Sequence, residues 1–352
     1  MEDTQAPLLA IQNLTVTFPT EDGPACAINH LSLSMGRGEI LGLVGESGCG
    51  KSMTSLAILR LIPSPGSIAS GEIIFQGQNL LALNDTLMRK MRGARIALIP
   101  QDPLTALNPV HTIGNQIMEV LELHQHLSKK EARRRTIELL DQVRIPNAAE
   151  RIHDYPHQFS GGMRQRVMIA MGLSCTPALL IADEPTTALD VTVQAQILEL
   201  LREIRNEHGT GILLITHDLG VVAEMCERVA VMYAGRLVEQ ASVRDLFLHP
   251  AHPYTQGLLN SLPTLTRSRL EPIEGQPPTI TEIPPGCSFT PRCKERMPVC
   301  ETEFPLAACV GNGTPATDDP THNSKHQVSC YLYPGSFHPG QQESLTARSS
   351  TE

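Results

Sequence analysis

The chain has 352 residues, a formal net charge of −9 and an apolar share of 41%. That length suits about two domains of ~150 residues each, and the negative balance argues against a broad nucleic-acid-binding surface. No apolar stretch approaches the ~18 residues of a membrane span, and the start, Met1-Glu2-Asp3, lacks the basic and apolar regions of a signal peptide. A cytosolic chain is predicted, with any membrane crossing left to other subunits.

From the start, Ile11 to Phe18 and Ala27 to Leu33 read as strands around a turn at Gly23-Pro24. On its own Phe18 reads as core, with stacking on an adenine ring as the alternative. The apolar run Ile40 to Val44 then enters Gly45-Glu46-Ser47-Gly48-Cys49-Gly50-Lys51-Ser52, and a helical pattern follows from Thr54 to Leu61. This fits G-x-x-x-x-G-K-[ST] in its strand, loop and helix setting. Backbone N–H groups of such a loop close around a polyphosphate, and the helix N-terminus adds positive potential. Lys51 is placed to reach the β- and γ-phosphates and Ser52 to ligate Mg²⁺.

Downstream, Gly71 to Phe75 reads as a strand after the Pro63-Ser64-Pro65-Gly66 break, and Arg95 to Pro100 as another that delivers Gln101 at its C-terminal end. Residues 104 to 175 look helical. Ser128-Lys129-Lys130-Glu131 fits a capping box, followed by Ile137, Leu140 and Val143 at helical spacing before Pro146. The apolar run Ala178 to Ala182 suits a strand buried on both faces, and it ends in Asp183-Glu184. Beside bound phosphates, Asp183 can hold Mg²⁺ through water while Glu184 orients or deprotonates an attacking water. A helix from Asp190 to His208 stops at Gly209, and the strand Gly211 to Thr216 delivers His217, placed for a γ-phosphate contact.

These motifs, in this order, resemble the ATP-binding subunits of ABC transporters over residues 8 to 265. The resemblance implies an α/β fold: a RecA-like P-loop core, an antiparallel β subdomain and a helical subdomain. It makes Gly45 to Ser52 the Walker A loop, Gln101 the Q-loop glutamine and a Mg²⁺ neighbour, Leu179 to Glu184 the Walker B strand with its catalytic glutamate, and His217 the switch histidine. Ser160-Gly161-Gly162-Met163-Arg164-Gln165 resembles the signature, with Phe159 and Met163 as mild departures, and Thr187 to Asp190 resembles the D-loop. Phe18 takes the place of the adenine-stacking aromatic. In this family Ser160, Gly161 and Gly162 meet the γ-phosphate held by an opposing subunit, so ATP joins two cassettes and hydrolysis releases them.

A narrower resemblance lies in Gln101 to Pro109, Gly114-Asn115-Gln116-Ile117, His252 to Gln256 and Gly286 to Cys293. It is to the oligopeptide, dipeptide and nickel importer branch. It implies import of di- or oligopeptides, with nickel or another peptide-like solute as the alternative. The implied partners are two membrane-spanning permease subunits, a second and non-identical ATPase subunit and, indirectly, an external peptide-binding protein. The implied place is the cytoplasmic face of a bacterial inner membrane, as a peripheral subunit. Translation and chromosome ATPases of the ABC type are the rival class; a single phosphate loop and a single signature, with no long coiled coil between them, argue against both. A third reading, a metal-sensing or redox protein that keeps an ATPase core, comes from the cysteines of the tail.

The chain then divides into an ATPase cassette over 1–265, with a helical part at about 104–175, a Cys-rich extension over 266–340 and a disordered tail over 341–352. Within the extension, Pro272 to Pro285 reads as a connector and Gly311 to Lys325 as a mobile insertion. Nine cysteines are present, five of them after residue 286. A reducing compartment disfavours disulfides, leaving metal ligands or plain thiols. Spacings of five, six and twenty-nine residues between Cys287, Cys293, Cys300 and Cys330 contain no C-x-x-C, so spacing alone leaves free thiols and zinc open. The resemblance implies instead that these four ligate a [4Fe–4S] cluster, Val328-Ser329-Cys330 supplying the fourth ligand, with Cys309 as its competitor.

Overall fold

The computed structural model describes residues 6–21, 23–262, 272–310 and 326–338. The sequence expectations for 311–325 and for the tail at 341–352 lie outside these.

The chain opens with β1 (Leu9–Thr20) and β2 (Gly23–Met35), an antiparallel pair in which Thr20 faces Gly23. The turn therefore closes ahead of Gly23 and not at Gly23-Pro24. Pro24 is tolerated inside a strand because β2 lies at the edge of its sheet. Next come β3 (Ile40–Val44), buried along its whole length, and α1 (Lys51–Ile58). This helix starts three residues before the apolar pattern does. Gly50, at φ 107°, makes the turn into it, and Arg60, at φ 51°, breaks it soon after its end.

Then follow β4 (Ser67–Phe75), β5 (Gln78–Asn79), α2 (Asp85–Met91) and β6 (Ile96–Ile99). The helical stretch holds α3 (Pro103–Ala106), α4 (Ile113–Gln125), α5 (Lys129–Gln142), α6 (Ala148–Arg151) and α7 (Gly161–Leu173). Ser128 and Glu131 form the predicted reciprocal cap of α5, which buries Leu139 and Leu140. After it come β7 (Leu179–Asp183), α8 (Val191–His208), β8 (Gly211–Thr216), α9 (Leu219–Met225), β9 (Arg228–Tyr233), β10 (Arg236–Ser242), α10 (Val243–Leu248) and α11 (Pro253–Asn260). Residues 272–285 contain no helix or strand, and two short strands close the chain, β11 (Ala308–Cys309) and β12 (Gln327–Val328).

Two sheets result. The smaller is antiparallel in the order β2-β1-β4-β5, and the larger runs β11-β12-β10-β9-β3-β8-β7-β6. In the larger, β9, β3, β8, β7 and β6 are parallel, so the loops after β3, β6, β7 and β8 all leave from one edge. Buried side chains of β1, β2 and β4 pack with those of α1 and one face of the large sheet, while α4, α5, α7 and α8 cover the other face. The extension continues the cassette: β12 pairs antiparallel with β10. Its Phe289 packs on Tyr233 of β9 and Tyr254 of α11.

Candidate nucleotide site and cysteine cavity

The phosphate loop leaves β3 between β8 and β9. At Gly45 a Cβ would stand 2.2 Å from the Met232 carbonyl oxygen, and at Gly50 it would stand 2.8 Å from that of Ala27. Glycine at both positions therefore follows from close approach of backbone, independently of any ligand. Lys51 is buried at the loop centre, where Nζ donates to the carbonyls of Gly45 (2.8 Å) and Glu46 (2.9 Å) and lies 3.8 Å from Cys49 Sγ. Burial raises the Cys49 thiol above its ordinary range, so it is a packed, protonated group. Ser47, Gly48 and Ser52 lie along the open side, and the Ser52 hydroxyl stands near enough to Asp183 to favour its charged form.

Asp183 ends β7 and is 7% exposed, with Oδ1 buried and unpartnered. Burial lifts its carboxyl above the usual range, while Ser52 and Lys51 oppose the shift. An orphaned carboxylate oxygen beside a hydroxyl fits Mg²⁺, which would satisfy both. Glu184 follows in the left-handed region at φ 48°, its N–H donating to the Ile215 carbonyl at 2.8 Å. The Glu184 carboxylate is close enough to add to the upward shift of Asp183. Oε2 accepts from Gln101 Nε2 (2.8 Å) and from Thr187 Oγ1 (2.9 Å), while His217 Nδ1 lies 3.2 Å from Oε1. Two residues singled out in the sequence, Gln101 and His217, thus meet the carboxylate of a third, Glu184. Thr187, quoted only as the start of the D-loop, is a fourth member that no spacing identified.

Other predicted residues are placed elsewhere. Ser160 is the N-cap of α7, accepting from the Met163 N–H, and Gly161 and Gly162 form that helix's first turn. Among the described residues no hydrogen bond joins this segment to the phosphate loop. Asp190 likewise caps α8 by accepting from the Val193 N–H at 2.9 Å. Phe18, on β1, is half-buried against the turn at Gly66.

In the extension, Cys287, Cys293, Cys300 and Cys330 line one enclosed cavity of about 20 Å³, whereas Cys309 is buried in β11 outside it. Burial pushes the Cys287 thiol up to about 11 and that of Cys330 up to about 12, so both are neutral until a cation displaces their protons. His252 lines the same cavity, and burial lowers it to about 4. Its Nδ1 accepts from the Tyr254 N–H, so the buried, unpartnered Nε2 carries the proton. Among the described residues no three His, Cys, Asp or Glu side chains converge on a single-ion site. A tetrahedral zinc needs sulfurs about 3.8 Å apart, given Zn–S near 2.3 Å. The cavity as it stands has room for about one water, so the four thiols share a lining without a preformed site for zinc or for a cluster.

Fold and site together define a P-loop ATPase of the cassette type. The ABC transporter family pattern matches residues 28–187, and that of the oligopeptide/dipeptide transporter C-terminal region matches 238–300. The dipeptide transport ATP-binding protein of Bacillus subtilis is 48% identical, over 92% of this chain and 94% of its own length. The oligopeptide transport ATP-binding protein of Salmonella typhimurium is 51% identical, over 87% of this chain and 93% of its own. Among solved structures, the dimeric ATP-binding cassette MJ0796, in a post-hydrolysis state with ADP and Pi, superposes with a TM-score of 0.61 at 27% identity. It covers 67% of this chain and 99% of that one. The chain belongs to the ABC transporter ATP-binding proteins of the oligopeptide/dipeptide family. It is an ABC transporter ATPase, and among its described residues no helix is long and apolar enough to cross a membrane.

Proposed function

We propose that this ATPase powers import of di- or oligopeptides from the cytoplasmic face of a bacterial inner membrane, as a peripheral subunit bound to two membrane-spanning permeases. The observation that carries this reading is a phosphate loop with Asp183 and Glu184 beside it, on a sheet joined through β10 and β12 to an extension of the oligopeptide/dipeptide type. In this account residues 1–265 form the cassette and 266–340 the extension.

Gly45 to Ser52 cradle the triphosphate, Lys51 meets its β- and γ-oxygens, and Phe18 stacks on the adenine. Ser52, Asp183 and Gln101 would hold Mg²⁺, which would neutralise charge on the β- and γ-phosphates. Glu184 takes a proton from the attacking water as its oxygen bonds the γ-phosphorus and the bond to the β-phosphate oxygen breaks. His217 and Gln101 hold the Glu184 carboxylate and the γ-phosphate in line. Ser160, Gly161, Gly162 and Asp190 act on the nucleotide of a second ATPase subunit, which is a different chain. The segment at 160–162 makes no bond to its own phosphate loop, which favours this division of labour.

A [4Fe–4S] cluster held by Cys287, Cys293, Cys300 and Cys330 is part of the proposal, and its role is structural. The supporting features are the shared cavity, the position of Cys309 outside it and the N–H donor of His252.

ATPase assays on the transporter purified with its native partners, against a panel of loaded external binding proteins, test the function. Peptide-loaded binding protein is expected to raise turnover above that of the transporter alone, since closure gates the chemical step. Stimulation by nickel-loaded binding protein alone, or purification without any membrane subunit, would contradict peptide import.

A further inference from the structure

Glu46, the residue after the first glycine of the phosphate loop, is met by Arg292 of the extension. Arg292 Nη1 donates to Glu46 Oε2 at 2.6 Å and Nη2 to Oε1 at 3.0 Å, a two-point pair for which a planar guanidinium is built. The Arg292 side chain is 4% exposed and that of Glu46 26%. Arg292 is itself fixed: Nη1 donates to the Tyr233 hydroxyl (3.2 Å), Nε to the Glu274 carbonyl (3.0 Å) and Nη2 to that of Ile273 (3.4 Å). Its guanidinium also lies against the Tyr233 and Phe289 rings. Burial lowers the guanidinium's hold on its proton, but the bonds to Glu46 and Tyr233 outweigh burial and raise it overall.

Glu46 is held at its other groups as well. Its N–H donates to the Tyr254 hydroxyl at 2.9 Å, and its carbonyl accepts from Lys51 Nζ at 2.9 Å and from the Cys49 N–H at 3.3 Å. The backbone at the mouth of the phosphate loop is thus braced by two residues that follow the β-sheet core in sequence, Tyr254 and Arg292. Without its partner, the Glu46 carboxylate would stand as a bare negative charge next to the residues that cradle a polyphosphate.

We infer that Arg292 is a positioning residue of the nucleotide site: it fixes Glu46, and with it the phosphate loop, in the shape that takes ATP, and neutralises a carboxylate that would repel the triphosphate. The inference rests on the phosphate loop being the ATP site. Arg292 touches no reacting atom, so its effect belongs to ATP binding and not to bond breaking. The extension then contributes to the affinity of the cassette for its fuel.

Equilibrium binding of a non-hydrolysable ATP analogue with Mg²⁺ to the full chain is the test. Arg292→Ala is expected to weaken binding roughly tenfold or more, the scale for losing charge-assisted hydrogen bonds. Arg292→Lys, which keeps the charge but not the fork, should recover part of the loss. Glu46→Gln, which loses one charged contact but also the repelling charge, should weaken binding less than Arg292→Ala, and the Arg292→Ala/Glu46→Gln double variant should bind no worse than Arg292→Ala alone, because both act through one contact. In the assembled transporter the loss should fall on KM, with kcat changing by less than about threefold. Glu46 lies outside the turn that carries Cys293, so Glu46→Gln reads the contact even if Arg292→Ala disturbs that turn. Wild-type affinity in both single variants, or losses that multiply in the double variant, would overturn the inference. A Lys51→Ala chain that still binds with full affinity would instead refute the placement of ATP at this loop.

Discussion

Glu184→Gln is expected to lower turnover at this site by about 10²- to 10⁴-fold, the range for removing a general base, while ATP affinity stays within about twofold. The amide keeps the shape of the side chain and can still accept from Thr187 and Gln101, so the loop after β7 should not move. It cannot take a proton from water. The position is built for one job: Glu184 adopts a left-handed backbone that costs a residue with a Cβ about 1–2 kcal/mol, and its carboxylate gathers Gln101, Thr187 and His217. The measurements are kcat of the assembled transporter with this site altered and equilibrium ATP binding to the same preparation. Wild-type kcat, or loss of binding equal to the loss of turnover, would remove Glu184 from the role of base.

Cys330→Ser is expected to strip the extension of its cluster. The anaerobically purified wild-type chain should be brown and carry about four irons, as Cys₄ ligation of one [4Fe–4S] cluster requires. Cys330→Ser should lose most of that iron, and Cys309→Ser should keep it. Cys330 shares a cavity with Cys287, Cys293 and Cys300, while Cys309 is paired into a two-residue strand opposite Gln327. Burial raises the Cys287, Cys293 and Cys330 thiols, so a cation must displace their protons, and metal ligation adds folding energy to a part whose strands are two residues each. Loss of iron should accordingly lower the thermal midpoint. Stoichiometric zinc without iron, or iron kept in Cys330→Ser and lost in Cys309→Ser, would refute the assignment.

Much of the cassette is legible in its residues, because the chemistry of phosphate binding is local. Gly45 to Ser52 sit in one short loop, the strands Ile40 to Val44 and Gly211 to Thr216 carry unbroken apolar runs, and Ser128 with Glu131 caps its helix within four residues. Boundaries were less legible. The helix after the phosphate loop begins at Lys51, since a left-handed Gly50 and not an apolar residue starts it. The turn ahead of Gly23 was displaced by the tolerance of an edge strand for Pro24. What the residues do not display is contact across long separations. Arg292 and Tyr254 brace Glu46, and Thr187 joins the group around Glu184, yet none of these pairings has a spacing rule. Likewise, the two strands of the extension are two residues each, too short to carry a period; β12 forms on the open edge of β10, and β11 on β12.

The most direct measurement of the central claim is uptake of a labelled oligopeptide into vesicles that hold the complete transporter, with its binding protein outside and ATP supplied to the face that carries this chain. The account predicts peptide accumulation that needs ATP and Mg²⁺ and falls to background with Glu184→Gln. Accumulation that continues at the wild-type rate without ATP, or in the Glu184→Gln transporter, would contradict it.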